Sequence, residues 1–170
     1  MYVEDVSVEA IINKLGGIDG AKKFLRGECE VITTKHIIDT DIASFIPNNW
    51  SIEEHRKGGQ LEWNPEKISL YLSESQKTGR IVGTDLRKEL SGMPVLNACV
   101  LDYLLANPHL IPEEWKGKCV FFWGTVYRDS NGSLYVRYLY WYGGKWDWSS
   151  NWLGHGWNAV DPAACSQVEN

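Results

Sequence analysis

The sequence predicts an α+β protein, in which short N-terminal and central helices pack on a C-terminal antiparallel sheet rich in Trp and Tyr. Residues 118–157 hold thirteen of the aromatic side chains of a chain with nine Trp, eight Tyr and four Phe. Two turn signals, DSNG at 129–132 and GG at 143–144, divide this segment into extended runs. Such runs are typical of an antiparallel meander. Before it, capped runs with apolar residues at helical spacing predict the helices.

Length and charge set limits on domain number and on partners. We expect 170 residues with 44% apolar content to form one domain, with an N-terminal helical hairpin and strand at 1–44 as an appendage to an α+β domain at 45–170. A net charge of −5 argues against duplex nucleic acid as a partner. The meander at 118–157 carries four basic and two acidic side chains, so single-stranded nucleic acid stays an alternative.

The cysteines and histidines predict no metal site and no cofactor. The four cysteines are far apart and lack a Cys-x-x-Cys pair, which is typical of free thiols in a reducing cytosol. No two histidines have the spacing of metal ligands on a helix or in a zinc loop. The N-terminus lacks a signal pattern and no apolar run is long enough for a membrane span. We therefore expect a cytoplasmic protein that does not enter a membrane.

The first part of the chain predicts two helices and a strand. Ser7 caps a helix at 8–15 that Gly16-Gly17 ends, and Asp19 caps a second at 20–26. This pair resembles a helix-turn-helix only loosely, because the second helix is short and weakly basic. The β-branched residues of 29–38 predict a strand.

The central part predicts further helices, each with a start or stop signal. Ser51 with Glu54 forms a capping pattern that opens a polar helix, which the Gly pair at 58–59 ends. Asn64 and Pro65 begin a helix that runs to Lys77. The remaining helical segments are a short helix at 85–90, an apolar core helix at 94–106 and a helical turn at 111–115. Residues 158–170 are expected to be a tail that frays at its end.

The turn chemistry predicts the register of the meander. With Gly132 in the left-handed position, Asp129 lies opposite Ser133, and Gly124 opposite Tyr138. With Gly143-Gly144 as a two-residue turn, Trp141 lies opposite Trp146. Since side chains alternate between faces, one face of the predicted sheet is rich in aromatic rings. The expected members of this face are Phe121, Trp123, Tyr127, Tyr135, Leu139, Trp141, Trp146 and Trp148, with Arg137 among them.

This aromatic face is the predicted site for a ligand or partner, and the alternative is that Trp152 and Trp157 of the return segment fold over the face and bury it. Trp and Tyr beside an Arg are the side chains that anchor interfaces. The predicted function is therefore a non-enzymatic binding or protein-interaction module, with a protein, a small molecule or an oligosaccharide as partner. Stacking of single-stranded nucleic acid or of an oligosaccharide on the same rings is an alternative. The predicted binding residues are Trp123, Arg137, Trp141, Trp146 and Trp148.

An enzyme is the second alternative, either of hydrolase type or metal-assisted. His55 beside Glu54 could act as an acid–base pair. Asp39 and Asp41 could bind a divalent ion if a third ligand joined them. His109 is a further candidate. No nucleophile or third ligand stands at a spacing that links these residues, so the sequence names no catalytic residue.

Three segments of the chain resemble a family of uncharacterised bacterial proteins from environmental and candidate-phylum genomes. The resemblance covers roughly residues 45 to 165, and VFFWGTVYRDSNG and VRYLYW are its most specific runs. LYLSESQKTG and the earlier LGGIDGAKKFLRGE also match. Cys99 and Cys119 stand where similar sequences are expected to carry other residues. The resemblance implies no activity, cofactor or catalytic residue.

Overall fold

The computed structural model describes residues 7–29 and 34–167, and it divides into two compact units at residues 1–35 and 36–170. The smaller unit is a pair of helices, α1 (Val8–Lys14) and α2 (Gly17–Leu25). The Ser7 side chain accepts a hydrogen bond from the Ala10 N–H and so caps α1. The predicted helix pair is confirmed, with α2 starting at Gly17 rather than Gly20.

The larger unit holds three α-helices and eleven strands in the part of the chain that the structure describes. Their bounds are β1 Ile37–Asp39, β2 Ser51–His55, β3 Gln60–Glu62, β4 Ile68–Tyr71, α3 Glu74–Thr78, β5 Ile81–Val82, α4 Gly83–Glu89, α5 Ala98–Ala106, β6 Val120–Phe121, β7 Thr125–Arg128, β8 Leu134–Tyr142, β9 Lys145–Trp152, β10 Gly156–Trp157 and β11 Ala163–Ser166. Strand β1 belongs to this unit, whereas the sequence suggested a boundary after residue 44.

A seven-stranded curled sheet forms the centre of the unit. Strand β8 pairs with β9 along one edge, and its other edge is shared by β7 and β6. From there the sheet continues through β7 to β2, and through β6 to β11 and β4. The β11–β6 pair is parallel and the other pairs are antiparallel. Two small sheets, β1–β3 and β5–β10, flank it. The predicted α+β class is confirmed.

Two hydrophobic cores lie on the two faces of this sheet. Val120 and Phe121 are neighbours on β6 and point to opposite faces, Val120 into the first core and Phe121 into the second. Helix α5 packs into the first core through its buried apolar residues, and α4 packs into the second through Leu86, with Leu90 just after its end. Both faces of the sheet are therefore covered by helices.

Three sequence predictions fail where the chain forms a paired strand, and two of these strands replace a predicted helix. The segment opened by Ser51 is not a helix but strand β2, because its backbone pairs with β7 from Ser51↔Arg128 to His55↔Thr125. The predicted helix 65–77 is interrupted by β4, which pairs with β11; Pro65–Lys67 is one turn of 3-10 helix and only Glu74–Thr78 is α-helical. The predicted tail is partly strand β11, between β6 and β4. Local capping signals are weak beside these long-range ladders.

Two other elements are shorter than predicted. The apolar helix begins at Ala98 rather than at Pro94, because Val95 bridges to Cys165 and the Asn97 side chain caps the helix by accepting from the Cys99 N–H. The predicted strand 29–38 forms a strand only from Ile37 in the described part, and residues 30–33 lie outside the described residues.

Candidate functional site

The predicted register of the meander is right at the two turns and wrong at its first strand. Trp141 lies opposite Trp146, as predicted, and the Asp129 N–H donates to the Ser133 carbonyl at 3.0 Å. Tyr127 pairs with Tyr135, which also agrees with the prediction. However, Phe121 and not Gly124 pairs with Tyr138.

The register of the first strand differs from the prediction because this strand is broken into β6 and β7 at Phe122–Gly124. Six positions separate Phe121 from Tyr127, but only three separate their partners Tyr138 and Tyr135. The three extra residues form a bulge, and an odd offset exchanges the two faces of the strand. The aromatic rings expected on one face are therefore divided between both faces.

Trp123 is the first predicted site residue that this break removes from the surface. Its side chain is 1% exposed and belongs to the second core. Its ring lies 4.7 Å from that of Trp157, between ring centroids. Trp157 is also fully buried. The prediction that Trp123 shares an open face with Trp141, Trp146 and Trp148 is wrong.

Arg137 is also buried, with 1% of its surface exposed. Its guanidinium forms an ion pair with Asp102 of α5 at 2.8 Å (Nη2 to Oδ1). The ring centroids of Trp148 and Phe45 lie 4.2 Å and 5.1 Å from its Cζ. Tyr127 completes this buried cluster, since its hydroxyl donates to the Phe45 carbonyl at 3.2 Å. Arg137 and Trp148 therefore join the segment around Phe45 to the sheet and to α5 and do not face solvent together as predicted.

His55 is fixed by hydrogen bonds on both ring nitrogens. Its Nε2 lies 3.0 Å from the Thr40 carbonyl oxygen and its Nδ1 lies 2.9 Å from the Thr125 hydroxyl. A carbonyl can only accept, so Nε2 carries the proton and donates it. The Cys99 Sγ, 3.9 Å from Nε2, instead donates to the Ile42 carbonyl at 3.3 Å.

This arrangement does not provide a Cys–His catalytic pair. Burial raises the pKa of the Cys99 thiol to about 11, and the carboxylates of Asp102 and Asp39 add to this rise. A reactive cysteine needs the opposite, a thiolate favoured by positive surroundings. With Nε2 already donating, the ring nitrogen nearest Cys99 has no lone pair with which to take the thiol proton, and the Nδ1 lone pair faces the Thr125 hydroxyl. The geometry gives His55 the role of a cross-link between β2, β7 and the segment after β1.

The acidic candidates are engaged in structural contacts. The Asp41 Oδ1 accepts from the N–H groups of Gly58 and Gly59 at 3.0 and 2.9 Å, and the Asp39 Oδ1 accepts from the Asp41 N–H. Within residues 7–29 and 34–167, no group of three His, Cys, Asp or Glu side chains could hold a metal ion. The two aspartates therefore stabilise a turn.

The histidine candidate His109 and the carboxylate Glu54 lie in different surroundings. His109 is exposed, and its ring stands edge-on to that of His36 at 6.1 Å. Glu54 accepts from two guanidiniums, Arg56 at 2.8 Å and Arg87 at 2.7 Å. Glu54 thus pairs with these arginines rather than with the ring of His55.

The remaining two predicted site residues, Trp141 and Trp146, line an open cleft at the β8–β9 turn. Both are half-buried, and their rings meet at 5.3 Å between centroids with an interplanar angle of 70°. The Nζ of Lys116 lies over the Trp141 ring, 3.9 Å from its centroid. The cleft has a volume of about 390 Å³. Its walls are Leu105, Pro108, Glu113, Trp141, Gly144, Lys145 and Trp146.

The charges at the edge of this cleft are already paired with each other. Lys116 lies 2.5 Å from Glu113, and Lys145 lies 3.2 Å from Asp147. Two lysines and two carboxylates leave no net charge around the two rings. The sequence predicted the rings but not Leu105, Pro108 or Lys116, because these residues reach the cleft only through the packing of α5 and of the segment after it.

Comparison of the chain with protein-family models, with curated proteins and with solved structures found no match. The fold and the site define an α+β protein with an aromatic cleft at a hairpin turn. In the described part of the chain, no helix has the length and apolar character needed to cross a membrane.

Proposed function

We propose that this protein is a non-enzymatic interaction module that binds a partner protein by inserting an apolar side chain of the partner into the cleft at Trp141 and Trp146. The observation that carries this proposal is the pair of half-buried Trp rings that line an open cleft of about 390 Å³. Leu105 and Pro108 supply further apolar wall.

The composition of the cleft supports a protein partner. Interface positions that contribute most binding energy are enriched in Trp and lie in pockets that surrounding polar residues shield from water. Here the two Trp rings lie among Glu113, Lys116 and Lys145. Because these charges pair locally with carboxylates or lysines of the chain itself, an uncharged side chain can enter without leaving one of them unpaired.

The geometry favours an inserted side chain over a stacked base or sugar ring. Stacking needs an open ring face. Lys116 covers one face of Trp141, and Trp146 stands at 70° to it. A polyanion would also need an excess of positive charge, but the cations beside the cleft are paired with Glu113 and Asp147.

The test is selection of peptides from a random displayed library against the whole protein, followed by measurement of Kd by fluorescence anisotropy. We expect the selected peptides to share an aliphatic or aromatic anchor residue. We expect Trp146→Ala to raise their Kd by at least about tenfold, as for a central interface residue.

Trp152 provides the matched control, because it lies on the same strand β9, is 45% exposed and does not line the cleft. Trp152→Ala should leave the Kd unchanged. Pro108→Glu is a second variant, which places a charge in the cleft from an exposed position and leaves the core intact. Selected peptides that bind all three variants as tightly as the unmodified protein would overturn the proposal, as would displacement of the peptides by a neutral oligosaccharide.

A further inference from the structure

A second cavity, of about 540 Å³, lies between strand β2 and helix α4. Strand β2 and the residue after it contribute Glu54 and Arg56, and α4 contributes Arg87. The complete wall consists of Glu54, Arg56, Thr84, Arg87, Lys88, Ser91 and Leu153. Its volume lies in the range of small-molecule sites.

The wall of this cavity carries three basic side chains and one acidic side chain, in a chain whose net charge is −5. Glu54 is shared by two guanidiniums, with Arg56 Nε 2.8 Å from its Oε1 and Arg87 Nη2 2.7 Å from its Oε2. Lys88 is the third cation, and its own partner Asp85 lies outside the cavity wall. With Asp85 counted as the partner of Lys88, three cations stand against two carboxylates, so the cavity keeps an excess of one positive charge.

The two guanidiniums are held in fixed positions. Arg56 Nη1 also donates to the Leu90 carbonyl at 3.1 Å, which ties it to the end of α4. The side chains of Arg56 and Arg87 are 26% and 30% exposed, so they are half-buried but can be reached from solvent. Burial alone would raise the pKa of Glu54, but hydrogen bonds from the two arginines hold that pKa below its ordinary value. Glu54 therefore stays charged and keeps both guanidiniums oriented.

We propose that this cavity binds a small anion through a phosphate or carboxylate group. Arg87 donates from its free N–H groups in the bidentate geometry that guanidinium offers to such oxygens. Lys88 supplies a further charge, and the hydroxyls of Thr84 and Ser91 lie in the same wall. The excess of one positive charge favours an anion over a neutral ligand. This site is independent of the Trp141–Trp146 cleft.

The experiment is isothermal titration calorimetry of the whole protein at low salt, with three probes: inorganic phosphate, a sugar monophosphate and a four-carbon dicarboxylate. We expect saturable binding of at least one probe. Tightest binding of the sugar monophosphate would identify a phosphate ester as the ligand class, and tightest binding of the dicarboxylate would identify a carboxylic acid.

Arg87→Gln should raise the Kd of the bound probe by at least about tenfold, since it removes a charge-assisted bidentate contact. Arg128→Gln is the matched control, because Arg128 pairs with Glu53 of the same strand β2 at 2.8 Å but does not line the cavity. The Kd of the probe for the Arg128→Gln protein should equal that for the unmodified protein. Equal effects of the two substitutions, or no binding of any probe at millimolar concentration, would overturn the proposal.

Glu54→Gln gives a result of opposite sign, which a general loss of structure cannot imitate. Glutamine can still accept a hydrogen bond from an arginine, but the negative charge that competes with the ligand is gone. We expect the Kd of the probe to fall several-fold. An unchanged or higher Kd in this variant would contradict the proposal even if Arg87→Gln failed to fold.

Discussion

At the scale of single residues, Arg137 is a buried cation that joins β8 to helix α5 and to the segment around Phe45. Its guanidinium lies against the rings of both Phe45 and Trp148 and pairs with Asp102. A cation buried in this way needs every partner that it has, because removing one side of a buried ion pair leaves the other uncompensated. A cluster of Arg and Trp on one strand face thus has the same sequence pattern whether it binds a ligand or fixes a neighbouring segment.

Arg137→Met should lower the free energy of unfolding by about 3 kcal/mol, because Asp102 loses its partner and the two rings lose their cation. Urea denaturation followed by tryptophan fluorescence measures this change. The control is Arg128→Met, whose ion pair with Glu53 is 40% and 34% exposed and should contribute less than about 1 kcal/mol. Equal losses in the two variants would show that burial of Arg137 contributes nothing.

The thiols differ in exposure and therefore in expected reactivity. Cys29 is exposed, whereas Cys99 and Cys165 are buried, and burial raises the pKa of each of the two buried thiols to about 11. At pH 8 only about one in a thousand of such thiols is ionised, from the difference of three pH units. We expect iodoacetamide to label Cys29 first, as followed by mass spectrometry of peptides. Labelling of Cys99 at the rate of Cys29 in the folded protein would contradict its assignment as an inert thiol.

At the scale of secondary-structure elements, the break between β6 and β7 decides where the aromatic side chains go. Within this break, Gly124 has no space for a side chain. A Cβ on Gly124 would lie 2.8 to 2.9 Å from backbone and Cβ atoms of Asn97, at the start of α5. The Gly124 N–H also donates to Leu96, and its carbonyl accepts from Arg56. The chain can bring β2, α5 and the sheet this close only because position 124 has no side chain.

Gly124→Ala should therefore lower the free energy of unfolding by about 2 kcal/mol or more, since the backbone of Asn97 must move to admit the methyl group. Thermal and urea denaturation measure the effect. Gly92→Ala is the control, because nothing lies within 4 Å of its added Cβ, and it should be near neutral. A Gly124→Ala protein as stable as the Gly92→Ala protein would mean that a methyl group fits at position 124 beside Asn97 without strain.

Turns were the elements that the sequence predicted best. Gly132, Gly143 and Gly144 have φ values of 85°, 59° and 84°, and glycine is the residue that accepts such values most easily. Gly143 and Gly144 fix the β8–β9 register locally, and so Trp141 and Trp146 were correctly paired. Strands that pair with partners far away in the sequence were predicted poorly, because such pairing leaves little signal in the local sequence. Ser51–His55 carries a helix-capping pattern and is a strand because β7 lies beside it. A bulge that is set by contact with Asn97 likewise has no signature within its own strand.

At the scale of the whole molecule, the end of the described chain is an inner strand of the sheet. Strand β11 lies between β6 and β4, and Ala163, Ala164 and Cys165 are buried. Small side chains at these positions let both cores approach the sheet. The sequence predicts the same residues as part of a tail that frays at its end.

Ala164→Asp should prevent cooperative folding, because it buries an unpaired carboxylate at a position with 0% exposure in the first core. Circular dichroism during heating would show loss of the unfolding transition. Val160→Asp, at a position with 49% exposure a few residues earlier, is the control and should keep the transition. A folded Ala164→Asp protein of normal stability would contradict the inner position of β11.

The position of β11 also has a consequence for the order of folding. Its pairing with β4 joins Ala163 to Tyr71 and Ser166 to Ile68, which are roughly a hundred residues apart, and contacts of such long sequence separation form slowly. During synthesis the ribosome must release residue 166 before β4 and β6 gain the neighbour between them. Until then, their open backbone edges can recruit other nascent chains, so expression yield should depend on translation rate and chaperone supply.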